Sequence, residues 1–224
     1  MNAVYVLNVG EESQAIGNLT IPLIRAYADR HNLQFVEYND PNYSPFPSVH
    51  FLKFKIFEDA IEKKFENIIY IDIDILVDKH APDLSGMTSL SNFRWQGSKQ
   101  NQRYREKCIR VIEKQTGITW PSDVYFNDGL MSLRNKDIQA LLWLHGRRTP
   151  FSGPDYEQAY MNYLIVESGI VVKYLDDRKY NYCPKRYRHE GMRDALFCHY
   201  LGTPFRKKRE LIQTDLKNYA DKWQ

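Results

Sequence analysis

Residues 67–78 read Asn-Ile-Ile-Tyr-Ile-Asp-Ile-Asp-Ile-Leu-Val-Asp. The run Ile68, Ile69, Tyr70, Ile71 is β-branched and aromatic, as expected of a buried strand. It ends at Asp72 and Asp74, with one residue between them. Side chains alternate along a strand, so these two carboxylates point the same way if the extended chain continues. Charges at the end of a core strand are costly unless paired or bound to a metal. A hard cation accepting carboxylate oxygens, with a phosphate on its far side, removes that cost most simply. The competing reading is a strand closing in a solvated acidic turn, and Asp-x-Asp alone does not choose between the two. The apolar flanks favour the first, because they place the aspartates at the end of a core strand.

Towards the N-terminus the pattern is regular. Residues 3–9 read as an apolar strand and residues 17–32 as a helix, with Pro22 putting the start of the helix proper near Thr20. Residues 33–38 form a second strand, and the three prolines within residues 39–47 mark a loop. Ser48 suits an N-cap. Phe51, Phe54, Ile56, Phe57, Ala60 and Ile61 then give a helix with a broad apolar face. The order β-α-β-α-β predicts an α/β fold with a central, mostly parallel sheet flanked by helices. Ligands bind at strand C-terminal ends in such sheets, and Asp72 and Asp74 lie at one.

Beyond residue 78 the pattern weakens. Residues 80–102 give no clear element, and the polar run 96–102 reads as exposed. Helices are expected over residues 103–115, 136–145 and 155–167, with a basic loop over 146–154. Strands are expected over 124–133, interrupted by Asn127-Asp128-Gly129, and over 170–174 and 196–200. Residues 176–193 are polar, tyrosine-rich and read as irregular. The basic cluster 206–209 opens a last helix. With no internal repeat, low-complexity segment or linker, residues 1–224 read as a single domain.

At 43% hydrophobic and 26% charged, the chain has the composition of a soluble globular protein. Its apolar runs are too short to span a bilayer, and no basic residues precede the first apolar stretch as in a signal peptide. Cys108, Cys183 and Cys198 are odd in number and lack metal-ligand spacing. They argue for a reducing, cytoplasmic setting without disulfides. A net charge of +3 is too small to indicate nucleic acid binding.

Four features ask for one explanation: Asp72/Asp74, Asn127-Asp128-Gly129, Glu157-Gln158 at a helix start, and His199 followed by glycine and basic residues. Singly, each is as well read as a structural histidine, a hairpin, a polar helix face or a solvated charge run. In this order along nearly the whole chain they resemble the GT-A (Rossmann-like) glycosyltransferases, and within them family 8, the glycogenin-like and bacterial galactosyl- or glucosyltransferase group. That family has Asp-x-Asp after a strand, matched by Asp72-Ile73-Asp74, and Asn-Ser-Gly or a relative, matched by Asn127-Asp128-Gly129. It has Asp-Gln with a later Asn, matched by Glu157-Gln158 and Asn162. Its His-x-x-Gly-x-x-Lys-Pro-Trp is matched as far as His199-Tyr200-Leu201-Gly202. Leu52-Lys53-Phe54 looks like the family's Lys-Phe. Three departures stand out: Asp128 for a small hydroxyl residue, Glu157 for aspartate, and Thr203-Pro204-Phe205-Arg206-Lys207 where Lys-Pro-Trp is expected.

The resemblance implies metal-dependent transfer of a hexose from a nucleotide sugar, UDP-glucose or UDP-galactose foremost, with retention of anomeric configuration. Asp72, Asp74 and His199 would hold Mn²⁺, with Mg²⁺ as substitute. Asn8, Val9, Lys53, Asp72, Asn127, Gly202, Arg206 and Lys207 would contact the donor, and Asp128, Glu157 and Gln158 would act near the reacting sugar. The expected partners are the UDP-sugar, a carbohydrate, lipid or protein acceptor that the sequence does not identify, and a second copy of the chain as a homodimer. Two other classes remain. A haloacid-dehalogenase-type phosphatase also ends a strand in Asp-x-Asp, but wants Thr or Val where Leu76 stands. A degenerate transferase would bind nucleotide sugar or glycan without turnover.

Overall fold

The computed structural model describes residues 1–40, 48–86, 88–92, 99–121, 125–154, 156–187 and 191–223. The chain runs through β1 (Asn2–Leu7), α1 (Glu11–Arg30), β2 (Gln34–Tyr38), α2 (Leu52–Glu62), β3 (Asn67–Ile71), β4 (Ile75–Val77), β5 (Ser89–Asn92) and α3 (Lys99–Thr116). It continues through β6 (Phe126–Arg134), α4 (Asn135–His145), α5 (Gln158–Ser168), β7 (Lys173–Leu175), α6 (Asp177–Tyr180), α7 (Pro184–Tyr187), β8 (Phe197–His199), α8 (Phe205–Asn218) and α9 (Ala220–Trp223).

The main sheet has the order β2-β1-β3-β6-β5-β7. Its neighbours are parallel except at β6, which runs antiparallel to both β3 and β5. The expected α/β arrangement, a mostly parallel sheet flanked by helices, is therefore present. The alternation of β1 and β3 explains why both faces are covered. Ala3, Tyr5, Ile68 and Tyr70 face one core with residues of α2, α3, α4 and α5. Val4, Val6, Ile69 and Ile71 face another with Ile24, Tyr27 and Ala28 of α1. Each of the buried valines and isoleucines contributes about 1.5–3 kcal/mol on burial.

Several expectations change. The helix placed at residues 17–32 begins at Glu11, with Pro22 inside it. Proline removes one bond to the carbonyl four residues earlier, here that of Asn18, an exposed residue that water can satisfy. Thr20 Oγ1 reaches the carbonyl of Ile16 in the same helix (3.3 Å) and that of Ile73 in the turn after β3 (2.6 Å), tying the helix to that turn. Ser48 makes no side-chain cap; a 3-10 turn, Val49–Phe51, leads into α2 instead. The Ser-Leu-Ser-Asn strand β5 gave no apolar run to read. Residues 176–193 are not irregular among the described positions, but hold α6, α7 and a 3-10 turn, Met192–Asp194. Most of the loop 39–47, residues 96–98 of the polar run, and the expected element starts at 124 and 155 lie outside the described residues. No helix among the described residues is long and apolar enough to cross a membrane.

Two corrections bear on the site. Extended chain does not continue through Asp72: Ile75 N–H donates to the Asp72 carbonyl (3.1 Å), closing a turn. The chain then leaves the main sheet, and β4 pairs antiparallel with β8, with Ile75 opposite His199. Nor does Asn127-Asp128-Gly129 interrupt its strand. All three lie inside β6, where the register against β5 shifts: Leu90 faces Met131 but Ser91 faces Asn127. This bulge absorbs the turn-prone residues and bends the strand beside the end of β3.

Candidate active site

Asp72 reaches the site from the end of β3, Asp74 from the turn that follows, and His199 from β8. One ligand atom from each lies within 4.8 Å of the others. His199 Nε2 stands 3.1 Å from Asp74 Oδ1 and 3.5 Å from Asp72 Oδ2. Its Nδ1 is 2.8 Å from Asn181 Oδ1. An amide oxygen can only accept, so Nδ1 carries a hydrogen towards Asn181, and Nε2 is the nitrogen that faces the carboxylates. Asn181 is thus a site residue that no motif signalled.

Gly129 shows how tightly the group is built. Asp72 N–H donates to the Gly129 carbonyl at 2.7 Å. A Cβ at position 129 would lie 2.4 Å from His199 Cε1 and 2.5 Å from Asp72 Oδ2. Only hydrogen fits there, so the strand can approach both ligands. Two carboxylates and one imidazole nitrogen, packed this closely, fit a divalent cation.

Lys53 is the second centre. It projects from α2 and is 1% exposed. Its Nζ lies 2.7 Å from Glu157 Oε1, 3.1 Å from Asp128 Oδ1 and 3.8 Å from Asp72 Oδ1. Burial alone would push its pKa down, but Asp128, Asp72 and Glu157 together hold it well above the usual lysine value. Tyr70 Oη donates to Asp72 Oδ1 at 2.7 Å, fixing that carboxylate between the two centres. The Asp128 Oδ2 atom is buried without a hydrogen-bond partner. Burial raises the Asp128 carboxyl to about 7, with Lys53 opposing and Glu157 adding. Burial raises Glu157 as well.

Asp128 therefore shapes the pH dependence of stability. Its folded pKa lies above its ordinary 3.8, so the folded chain keeps a proton that the unfolded chain has lost. That contribution declines as pH rises from 3.8 to about 7. In chelator, Asp128→Asn is expected to flatten this part of the slope, as read by urea unfolding at several pH values. An unchanged slope would contradict the assignment.

Gln158 Oε1 accepts from Asn127 Nδ2 at 2.8 Å, joining the start of α5 to β6. Asn162 clamps the same two elements: its Oδ1 accepts from Phe126 N–H (2.7 Å), and its Nδ2 donates to the Phe126 and Gln158 carbonyls. Asn8 is buried at the end of β1, where its Nδ2 donates to Glu37 Oε1 (2.7 Å) and its Oδ1 has no partner. Val9 beside it is half-buried against the core. Gly202, at φ 58°, turns the chain after β8.

The basic cluster separates by helical phase. Arg206 and Lys207 are exposed on α8, with Arg206 paired to Glu210 (3.4 Å). Lys208 turns inward, its Nζ 2.5 Å from Asp74 Oδ2. Burial would raise the Asp74 pKa, but His199 and Lys208 hold it far below the usual carboxylate range. Lys208 is thus the cation of this run that reaches the aspartates, and sequence reasoning missed it. Asp72, Asp74, Asp128 and Glu157 face Lys53 and Lys208, so with all four carboxylates ionised and the His199 imidazole neutral two negative charges remain. A divalent cation balances them.

No protein-family model matches the chain, and no curated protein does. A solved structure, that of a glycosyltransferase involved in the glycosylation of the major capsid of PBCV-1, matches with a TM-score of 0.66. It is 20% identical, and the match covers 95% of this chain and 99% of that one. At that identity the likeness speaks for the fold and not for a particular family. By its strand order, its covered faces and this match, the chain has a GT-A-like glycosyltransferase fold with an Asp/Asp/His cluster able to bind a metal.

Proposed function

We propose that the protein is a metal-dependent glycosyltransferase, of the family-8 kind, that transfers a hexose from UDP-glucose or UDP-galactose to a hydroxyl acceptor with retention. The observation that carries this reading is the convergence of Asp72, Asp74 and His199 beside a glycine that leaves no room for a side chain. Those three residues would hold Mn²⁺, or Mg²⁺ in its place, which supplies Lewis-acid stabilisation of the departing diphosphate. Lys208 is placed to pair with the diphosphate oxygens. Glu157 and Asp128, held by Lys53, accept from sugar hydroxyls; the unpartnered Asp128 Oδ2 has that capacity to spare. Asn8, with its unpartnered Oδ1, and Val9 lie where the nucleoside would rest.

In the transfer, the acceptor oxygen bonds to the anomeric carbon. The bond from that carbon to the diphosphate breaks, and its electron pair stays on the leaving oxygen. The hydroxyl proton passes to that oxygen on the same face. Gln158 is neither base nor strong nucleophile, and it suits this course by orienting groups near the anomeric carbon. Glu157 carries a raised pKa and a direct bond to Lys53, which fits hydroxyl binding.

Calorimetric titration with UDP-, GDP- and CMP-sugars, with and without Mn²⁺, tests the donor. Metal-dependent UDP-hexose binding is expected; binding of GDP- or CMP-sugars alone would overturn it. Lys208→Met is expected to weaken UDP binding about tenfold or more, the worth of a charge-assisted contact. Lys207→Met should cost much less, and equal losses would refute the separation by helical phase. Proton NMR of the first product from an α-linked donor checks retention, with a β-linked product as the contrary result.

A further inference from the structure

Tyr156 immediately precedes Glu157, yet it is 56% exposed. Its φ is +56°, in the left-handed region that non-glycine residues rarely occupy. Reciprocal backbone hydrogen bonds to Gly153, of 2.8 and 3.1 Å, hold it there. Such a conformation costs on the order of 1 kcal/mol, and an exposed ring recovers little of that by burial. The ring is not loose. It stacks on His50 with centroids 4.7 Å apart and planes inclined by 28°.

His50 stands one turn before Lys53, within electrostatic reach of Lys53, Asp72 and Asp128. Phe51, next to it, is buried against Phe54 and Tyr160. Both rings of the pair are therefore anchored, through Phe51 on one side and the Glu157–Lys53 ion pair on the other. The strained backbone thus sets a rigid aromatic face at the edge of the carboxylate cluster.

Sheet order says which half of a reaction this face serves. Asn8 lies at the end of β1, on one side of β3; Glu157 and Gln158 are tied to β6, on the other. A donor with its nucleoside near Asn8 and its diphosphate at Asp72, Asp74 and Lys208 leaves the Tyr156 side to the second substrate. Among the described residues next in sequence to these site groups, Tyr156 is the exposed large hydrophobic one. It offers one ring face, the size of one pyranose, and not the contiguous apolar patch that a lipid needs. A pyranose has an apolar C–H face that packs on an aromatic ring, with hydroxyls around its rim for the neighbouring carboxylates.

We propose that Tyr156, backed by His50, is the acceptor platform and that the acceptor is a glycan, bound by stacking of a sugar ring on Tyr156. This rests on the transferase reading given above. The probes are maltose, cellobiose and lactose, observed by saturation-transfer NMR with UDP and Mn²⁺ present. At least one disaccharide is expected to bind wild-type protein. Tyr156→Phe should keep that binding, whereas Tyr156→Ala and Tyr156→Gly should weaken it about tenfold, which corresponds to about 1.4 kcal/mol. The glycine variant suits the positive φ and guards against loss of fold. Trp143→Ala, which removes an exposed ring on α4, should leave binding unchanged. The proposal fails if no disaccharide binds, if Tyr156→Gly binds as wild type does, if Trp143→Ala loses binding, or if Tyr156→Gly weakens UDP alone. UDP-glucose titration of the wild type is read separately. Failure there with Tyr156-dependent disaccharide binding intact would remove the donor reading and leave the platform standing.

Discussion

Asp74→Asn is expected to lower metal-dependent turnover of the nucleotide sugar by about a hundredfold to a thousandfold, the scale seen when a preorganised charge-stabilising group is removed. Asp74 meets two partners at once: Oδ1 faces His199 Nε2 at 3.1 Å and Oδ2 faces Lys208 Nζ at 2.5 Å. A carboxamide has one oxygen for both tasks and no charge, so ligand strength and the anchor of Lys208 fall together. The fold should persist, because the Lys208 side chain is partly exposed and can turn to water. Hydrolysis assays across a Mn²⁺ series, with thermal melts alongside, give the measurement. Wild-type Mn²⁺ dependence in the variant would reject the metal assignment.

Lys53→Met is expected to produce the largest loss of stability, about 3–5 kcal/mol, as when one partner of a buried ion pair is removed. In a chain of this size that lowers the melting temperature by roughly ten degrees. Among the described residues, the lysine is the side chain that pairs with Asp72, Asp128 and Glu157 alike. Without it, the buried Asp128 and Glu157 lose the charge that opposes their raised pKa values. The folded variant then binds more protons than the unfolded chain above the ordinary carboxylate range. Its stability must fall more steeply than wild type as pH rises towards neutrality. Melts at pH 5 and pH 8 check the sign. A deficit that shrinks at the higher pH would show that Lys53 stabilises by packing and not by charge.

Much of this was legible in the chain itself. The β-branched run Ile68–Ile71 and the β-α-β-α-β order pointed to the sheet, and Asp72, Asp74 and His199 do come together. What was hidden has physical causes. Asn127-Asp128-Gly129 carries turn chemistry, and only the bulge against β5 lets it stay in a strand. The run 206–209 is uniformly basic, so residue type cannot tell which cation faces inward; the phase of α8 picks Lys208. Asn181 belongs to no motif, and its role exists only because β8 brings His199 to it. Tyr156 reads as one tyrosine among 16 until its backbone angle is known. Pro22 hid the first half of α1, because an interior proline is tolerated where the bereft carbonyl belongs to an exposed residue.

The small β4–β8 ladder sets a timetable for synthesis. Asp72 and Asp74 leave the ribosome long before His199 and Lys208, and Ile75 finds its partner His199 only when the later strand arrives. Until then a growing chain can assemble β1, β2 and β3 but carries two aspartates with neither imidazole nor ammonium beside them. Since domains tend to form from the N-terminal side as they emerge, the nascent chain would pass through a sheet that is largely built while its metal-binding cluster is still incomplete. The Asp/Asp/His cluster would be completed late, with the closing of one short ladder.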